Sequence, residues 1–236
     1  MSIPKGEDAL YSQSRIVEVN VSKCCDWQGY SYTDYGWHYL CATIKEFINN
    51  PNINYKESIL SKYYQSFHPK SIQNCLFYGD DEYLQPICNG WPPLPWENTF
   101  NLRMGSNQHF GPNSDTFVKE EFFKTINIYK NLASEGYLPD ENQDGYIRGH
   151  FLKNHYDYRF KLNGGQHRMA ALSVLGYKTL QVKLQPDKKR VIDIITVQTW
   201  PQILNGKYNK ETAVKVFNSY FINNGREKAE RLNLIN

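Results

Sequence analysis

Tyr158-Arg-Phe-Lys-Leu-Asn-Gly-Gly-Gln-His-Arg-Met-Ala-Ala-Leu-Ser-Val-Leu-Gly-Tyr-Lys-Thr-Leu-Gln-Val-Lys-Leu184 is the stretch whose reading decides the fold. Arg159–Leu162 reads as a strand that Asn163-Gly164-Gly165 interrupts. A helix follows from about Gln166 to Leu175 and stops at Gly176. Leu180, Val182 and Leu184 then alternate with Gln181 and Lys183, the period of a half-buried strand. A strand–Gly-Gly–helix junction is also suited to anions. The glycines allow close backbone approach, and the first-turn N–H groups lack partners inside the helix. Gln166, His167 and Arg168 fall in that turn. Arg168 can hold a phosphate bidentately, and His167 can donate to a phosphoryl oxygen or move a proton. A plain tight turn with a solvated arginine explains the same residues, and spacing alone leaves both readings open.

Outward from this stretch, Tyr146–Leu152 reads as a second strand, joined to the first by a hairpin loop over 153–157. Before it, Asn113 and Ser114 offer N-cap oxygens to a helix in which Val118, Phe122, Ile126, Tyr129 and Leu132 recur every three or four residues. Gly136 is its expected C-terminal residue. Val17, Val19 and Val21 alternate as a strand, and helices are expected around Trp37–Ile48, Leu60–Phe67 and Ile72–Leu76. The run Gly90-Trp91-Pro92-Pro93-Leu94-Pro95-Trp96 is too proline-rich for helix or central strand. Its tryptophans are expected to clamp the chain before it to the chain after it. Downstream, a strand is expected over Val191–Val197 and a last helix around Ala213–Phe221, ending near Gly225. Tyr30, Tyr32, Tyr35 and Trp37 fit either an aromatic wall for a sugar or base, or core packing.

Composition narrows the class. The chain has 236 residues, a hydrophobic fraction of 40% and a net charge of only +3. That length and apolar content support a real core, and the charge is too small to point to nucleic acid. No apolar run is long enough to span a membrane, and the first residues lack the apolar segment of a signal peptide, so a cytoplasmic protein with no membrane partner is expected. The five cysteines, Cys24, Cys25, Cys41, Cys75 and Cys88, have no disulfide or metal-ligand spacing. No metal ligands are assigned.

The quoted run resembles the core of the ParB/sulfiredoxin superfamily: a strand, a Gly-x-His-Arg turn, an alanine-rich helix, a Leu-Gly stop and a short strand. The likeness is specific over residues 145–184 and extends more faintly back to 111. Ser58–Tyr64 and the segment from Trp200-Pro201 to Phe221 are similar to parts of ParB-like proteins found among surface-polysaccharide genes. The resemblance implies an α+β fold: a ParB/sulfiredoxin-like core over 101–190, a mostly helical N-terminal elaboration over 1–100, and a C-terminal strand and helix over 191–236.

It also implies nucleotide chemistry. Gly164, Gly165, Gln166, His167 and Arg168 would contact phosphates, with Asn113 and Ser114 as a second contact. Sulfiredoxins carry a nucleophilic cysteine where this chain has Gln166, which argues against sulfinic-acid repair. Only about 50 residues follow Leu184, too few for the DNA-binding region of partitioning proteins. Phosphoryl transfer from ATP with Mg²⁺ to a small hydroxyl compound, such as a sugar or glycan precursor, is then the expected activity. It needs a base, for which Glu120 and Glu121 are candidates beside His167, although both also fit the solvated face of a helix. Arg148 and His150, two apart on one strand, and His109 are the expected substrate contacts. A CTP- or ATP-binding switch, or a slow NTPase, is the second reading, and a nuclease or DNA-binding module the third.

Overall fold

The computed structural model describes residues 3–77, 93–99, 106–141, 143 and 145–235. The fold is α+β. In chain order come α1 (Asp8–Tyr11), β1 (Ile16–Asn20), β2 (Cys24–Cys25), α2 (Tyr39–Asn49), α3 (Ile59–Ser66) and α4 (Ile72–Leu76). Then follow α5 (Asp115–Glu135), β3 (Arg148–Lys153), β4 (Tyr158–Gly164), α6 (Gln166–Val174) and β5 (Thr179–Leu184). The chain continues through β6 (Val191–Asp193), α7 (Pro201–Leu204), α8 (Lys210–Ile222) and α9 (Arg226–Arg231).

The sheet has the order β1-β5-β3-β4-β2, with β6 added beside β3. β3 and β4 form the expected antiparallel hairpin, with His150 opposite Lys161. β5 runs parallel to β3 along Arg148 and Gly149, and β6 takes up the same direction along Phe151–Lys153. β1 pairs antiparallel with β5, and β2 parallel with β4. The sheet therefore draws strands from all three segments read in the sequence. Among the described residues, the region before residue 100 contributes two strands as well as helices.

Valines and leucines on alternating positions of β1 and β5 bury one face of the sheet. α2, α5 and α6 pack on one another, and α8 packs against β4. Trp96 clamps the chain as expected. Its ring lies edge-on to Trp200 (5.3 Å), Phe217 (5.4 Å) and Tyr220 (5.7 Å). Aromatic rings dominate core energetics through their area, so this cluster ties the proline-rich connector to α8. Trp91 and Cys88 lie outside the described residues. Tyr30, Tyr32 and Trp37 are core residues, while Tyr35 is exposed.

Two boundaries differ from expectation. The strand expected over Val191–Val197 ends at Asp193, whose carboxylate accepts from the Ile195 N–H (3.1 Å) and starts a 3₁₀ turn over Ile194–Thr199. The last long helix ends at Ile222, because Asn223 is extended, and Gly225 instead begins α9 at a φ of 88°. No helix among the described residues is long and apolar enough to cross a membrane.

Candidate functional site

A cavity of about 550 Å³ opens between α5, the loop over 106–110 and the β4–α6 turn. Each wall has a sequence cause. The Ser114 hydroxyl accepts from the Phe117 N–H (3.2 Å) and starts α5. Val118, Phe122 and Ile126 then bury one stripe, and Glu121 lies on that stripe. Glu120, one residue earlier, points to solvent. At the opposite wall Gly165 adopts a φ of 88°, and a Cβ there would sit 2.9 Å from Ile147 Cγ1. Only glycine fits both conditions without strain.

The turn and the helix meet in one buried pair. His167 Nε2 lies 2.8 Å from Glu121 Oε2, and Lys124 donates to Glu121 Oε1 at 3.0 Å. Burial raises the Glu121 carboxyl, but the hydrogen bond and charge of His167, with those of Lys124, outweigh it and hold the group below its usual range. Glu121 is therefore a carboxylate at neutral pH. It lines the cavity, and His167 stands behind it.

Gln166 and Asn163 also face the cavity, and His109 lines it from the loop. Burial first, then the charges of Lys161 and His167, push the His109 imidazole down to about 4, so it is neutral at physiological pH. Its Nδ1 has no hydrogen-bond partner among the described residues.

Several expected contacts are used differently. Asn113 does not reach the cavity as a phosphate contact. Its side chain accepts from the Asn107 N–H (2.9 Å) and donates to the carbonyls of Asn107 (2.8 Å) and Phe110 (3.0 Å), which fixes the loop under His109. Ser114 is spent on its cap. Arg168 donates to the Gly145 carbonyl and lines a separate cavity against Tyr137 and Leu132. Arg148 and His150 do not form one face. The ladder register shifts between Arg148 and Gly149, leaving Arg148 exposed and His150 buried. The Arg148 guanidinium lies beside the turn, 3.8 Å from where a Gly164 Cβ would stand. His150 donates through Nδ1 to Asn163 Oδ1 (2.6 Å), and burial with the nearby Lys161 charge pushes it down to about 3.

The sequence reading missed Lys161, Lys188 and Glu97, which share this cavity. Glu97 Oε1 stands 3.6 Å from Lys161 Nζ and 3.8 Å from Lys188 Nζ. Alternation puts Lys161 on the face opposite Phe160 and Leu162, the side that a polar residue normally turns to solvent, so its burial left no signal in the sequence.

No family model matches the chain, and neither the curated proteins nor the solved structures compared with it include a similar one. The class is therefore defined by the fold and cavity alone: an α+β protein with a polar pocket at a glycine turn.

The donor set bears on Mg²⁺. Both cavity carboxylates already have partners, Glu121 in Lys124 and His167, Glu97 in Lys161 and Lys188. No group of three histidine, cysteine or acidic residues gathers among the described residues. The described residues do not offer a protein cage for a metal ion, and Mg²⁺ would have to arrive with nucleotide phosphates.

Proposed function

We propose that the protein is a nucleotide-dependent phosphotransferase, a kinase-type member of the ParB/sulfiredoxin-like superfamily acting on a small hydroxyl compound such as a sugar or glycan precursor. The observation that carries this reading is the buried Glu121–His167 hydrogen bond at the cavity wall. In that reading the amides after Gly164-Gly165, with Arg148 beside them, hold the nucleotide phosphates. Glu121 takes the proton from the acceptor hydroxyl. The freed oxygen bonds to the terminal phosphorus, and the bond to the departing diphosphate breaks with its electron pair. His167 is a positioning residue: it fixes Glu121 Oε2, which leaves Oε1, already accepting from Lys124, to meet the acceptor. His109, neutral and half-buried, is placed to accept from or donate to the acceptor.

The test is direct. ATP with Mg²⁺ should raise the melting temperature. Pooled sugars, hydroxy acids and amino alcohols should include one that acquires phosphate, followed by ³¹P NMR. Glu121→Gln should keep nucleotide binding while transfer falls by at least about a hundredfold, the scale of a lost general base. Slow hydrolysis without any acceptor would favour the nucleotide switch. A melting temperature unmoved by ATP, CTP or ADP ends the nucleotide reading, and a salt-sensitive DNA shift would favour the nucleic-acid alternative.

A further inference from the structure

Two lysines in this cavity have no role in that scheme. Lys161 is almost wholly buried, at 1% side-chain exposure, in the middle of β4. Among the described residues its ammonium forms one ion pair, with Glu97, at a distance beyond hydrogen-bond reach, while the buried Asp26 carboxyl also feels its charge. Lys188 Nζ lies 3.8 Å from the same Glu97 oxygen. Asp187 feels the Lys188 charge but is exposed and accepts from Gln185 (2.7 Å). At ion-pair distance the two cations thus share one carboxylate, and the surplus positive charge lies at the wall of the pocket. A buried ammonium without a full partner is costly, and native structures rarely leave one so. The surplus is felt nearby: the Lys161 charge helps keep both His109 and His150 neutral.

Position separates these lysines from the glycine turn. Lys161 precedes Gly164 by three residues on a strand, which is about 10 Å at ~3.3 Å per residue. That is the length of a small molecule, not of one phosphate. Glu121 is tied by His167 to the turn end of the cavity. A neighbouring cavity of about 210 Å³ shares Glu97, Thr99 and Lys188 with this one and reaches His150. A compound with its hydroxyl at Glu121 therefore presents its far end to Lys161 and Lys188.

We propose that Lys161 and Lys188 form a second anion anchor, so that the hydroxyl compound is itself anionic, carrying a carboxylate, phosphate or sulfate group at the end remote from the reacting oxygen. The inference rests on the phosphotransferase reading for the word acceptor, but the anchor itself is a property of the two lysines. Sulfate is the probe, in chloride buffers held at constant ionic strength, with thermal unfolding as the readout. Sulfate should stabilise the intact protein. The concentration giving half the effect should rise at least tenfold in Lys188→Ala, a half-exposed position that should fold, and likewise in Lys161→Met. Lys207→Ala, an exposed lysine away from the cavity, should behave as the parent. The sulfate effect should persist, added to that of ATP, when ATP is saturating.

An unchanged sulfate response in Lys188→Ala overturns the proposal. So does a sulfate effect abolished by saturating ATP: the lysines would then hold the nucleotide's own phosphates, and the phosphotransferase reading would stand without an anionic acceptor. If ATP produces no shift while the sulfate response remains lysine-dependent, the anchor stands and the phosphotransferase reading falls.

Discussion

At the scale of single residues, the difference between Glu120 and Glu121 is one step of helical rotation. Both carry the same charge, and neither is distinguished by its neighbours in sequence. Val118, Phe122 and Ile126 mark the buried stripe of α5, and Glu121 falls three residues after Val118 on that stripe. An acidic residue on an apolar stripe needs partners, and His167 and Lys124 supply them. The stripe was legible, so Glu121 was legible in principle. The partner was not, since His167 comes from an element 46 residues away. Glu120→Gln, at an exposed position, should change stability by no more than about 0.5 kcal/mol. His167→Ala should cost about 1–3 kcal/mol, because it strips a hydrogen bond from a buried carboxylate. Chemical denaturation of the two variants side by side checks both; equal stabilities would mean that the buried pair contributes nothing.

At the scale of elements, the stretch from Tyr158 to Leu184 folds much as its pattern predicts: strand, glycine turn, helix, strand. Local rules suffice there because the Gly-Gly break and the Leu-Gly stop are strong punctuation. They fail where a side chain overrules the pattern. Val191–Val197 alternates well enough for a strand, yet Asp193 caps a turn in its middle. Arg148 and His150 are two apart, yet a ladder irregularity puts one in solvent and the other in the interior. Irregular register leaves no mark in hydrophobic period. The junction itself yields a prediction. Gly165→Ala must hold an L-residue at a φ of 88° and push its methyl against Ile147. The backbone term alone is about 1–2 kcal/mol. The variant should therefore unfold at lower denaturant with an unchanged slope, and it should lose more nucleotide affinity than a surface substitution of equal stability cost. A Gly165→Ala protein as stable as the parent would mean that the turn relaxes freely, which a site needing fixed amides does not allow.

At the scale of the whole molecule, three buried histidines, His38, His109 and His150, are held as imidazoles rather than imidazoliums. Burial, then the charges of His109 and His167, pushes His38 well below its ordinary value. Burial, then Lys161, pushes His150 to about 3 and His109 to about 4. In the unfolded chain each titrates near 6.5. Between pH 6.5 and 4 the unfolded state therefore binds three protons that the folded state refuses. Asp26 opposes them: burial raises its carboxyl to about 7, so below that pH the folded state holds a proton that the unfolded state takes up only near 3.9. Unfolding in this window takes up about two protons net, and stability must rise with pH through it. Each proton is worth about 1.4 kcal/mol per pH unit at full difference. Glu121, held low by His167, adds the same sign below about pH 4.5. The melting temperature should accordingly be highest at or above neutrality and fall by roughly 5–10 °C between pH 7 and pH 5. His150→Gln, which can still reach Asn163, should flatten that fall by about one proton's share. A melting temperature constant from pH 7 to pH 5 would require the buried histidines to be charged in the fold. Glu97 would then face imidazolium at His150 as well as its two lysines, and the surplus charge assigned to Lys161 and Lys188 would be shared among several groups.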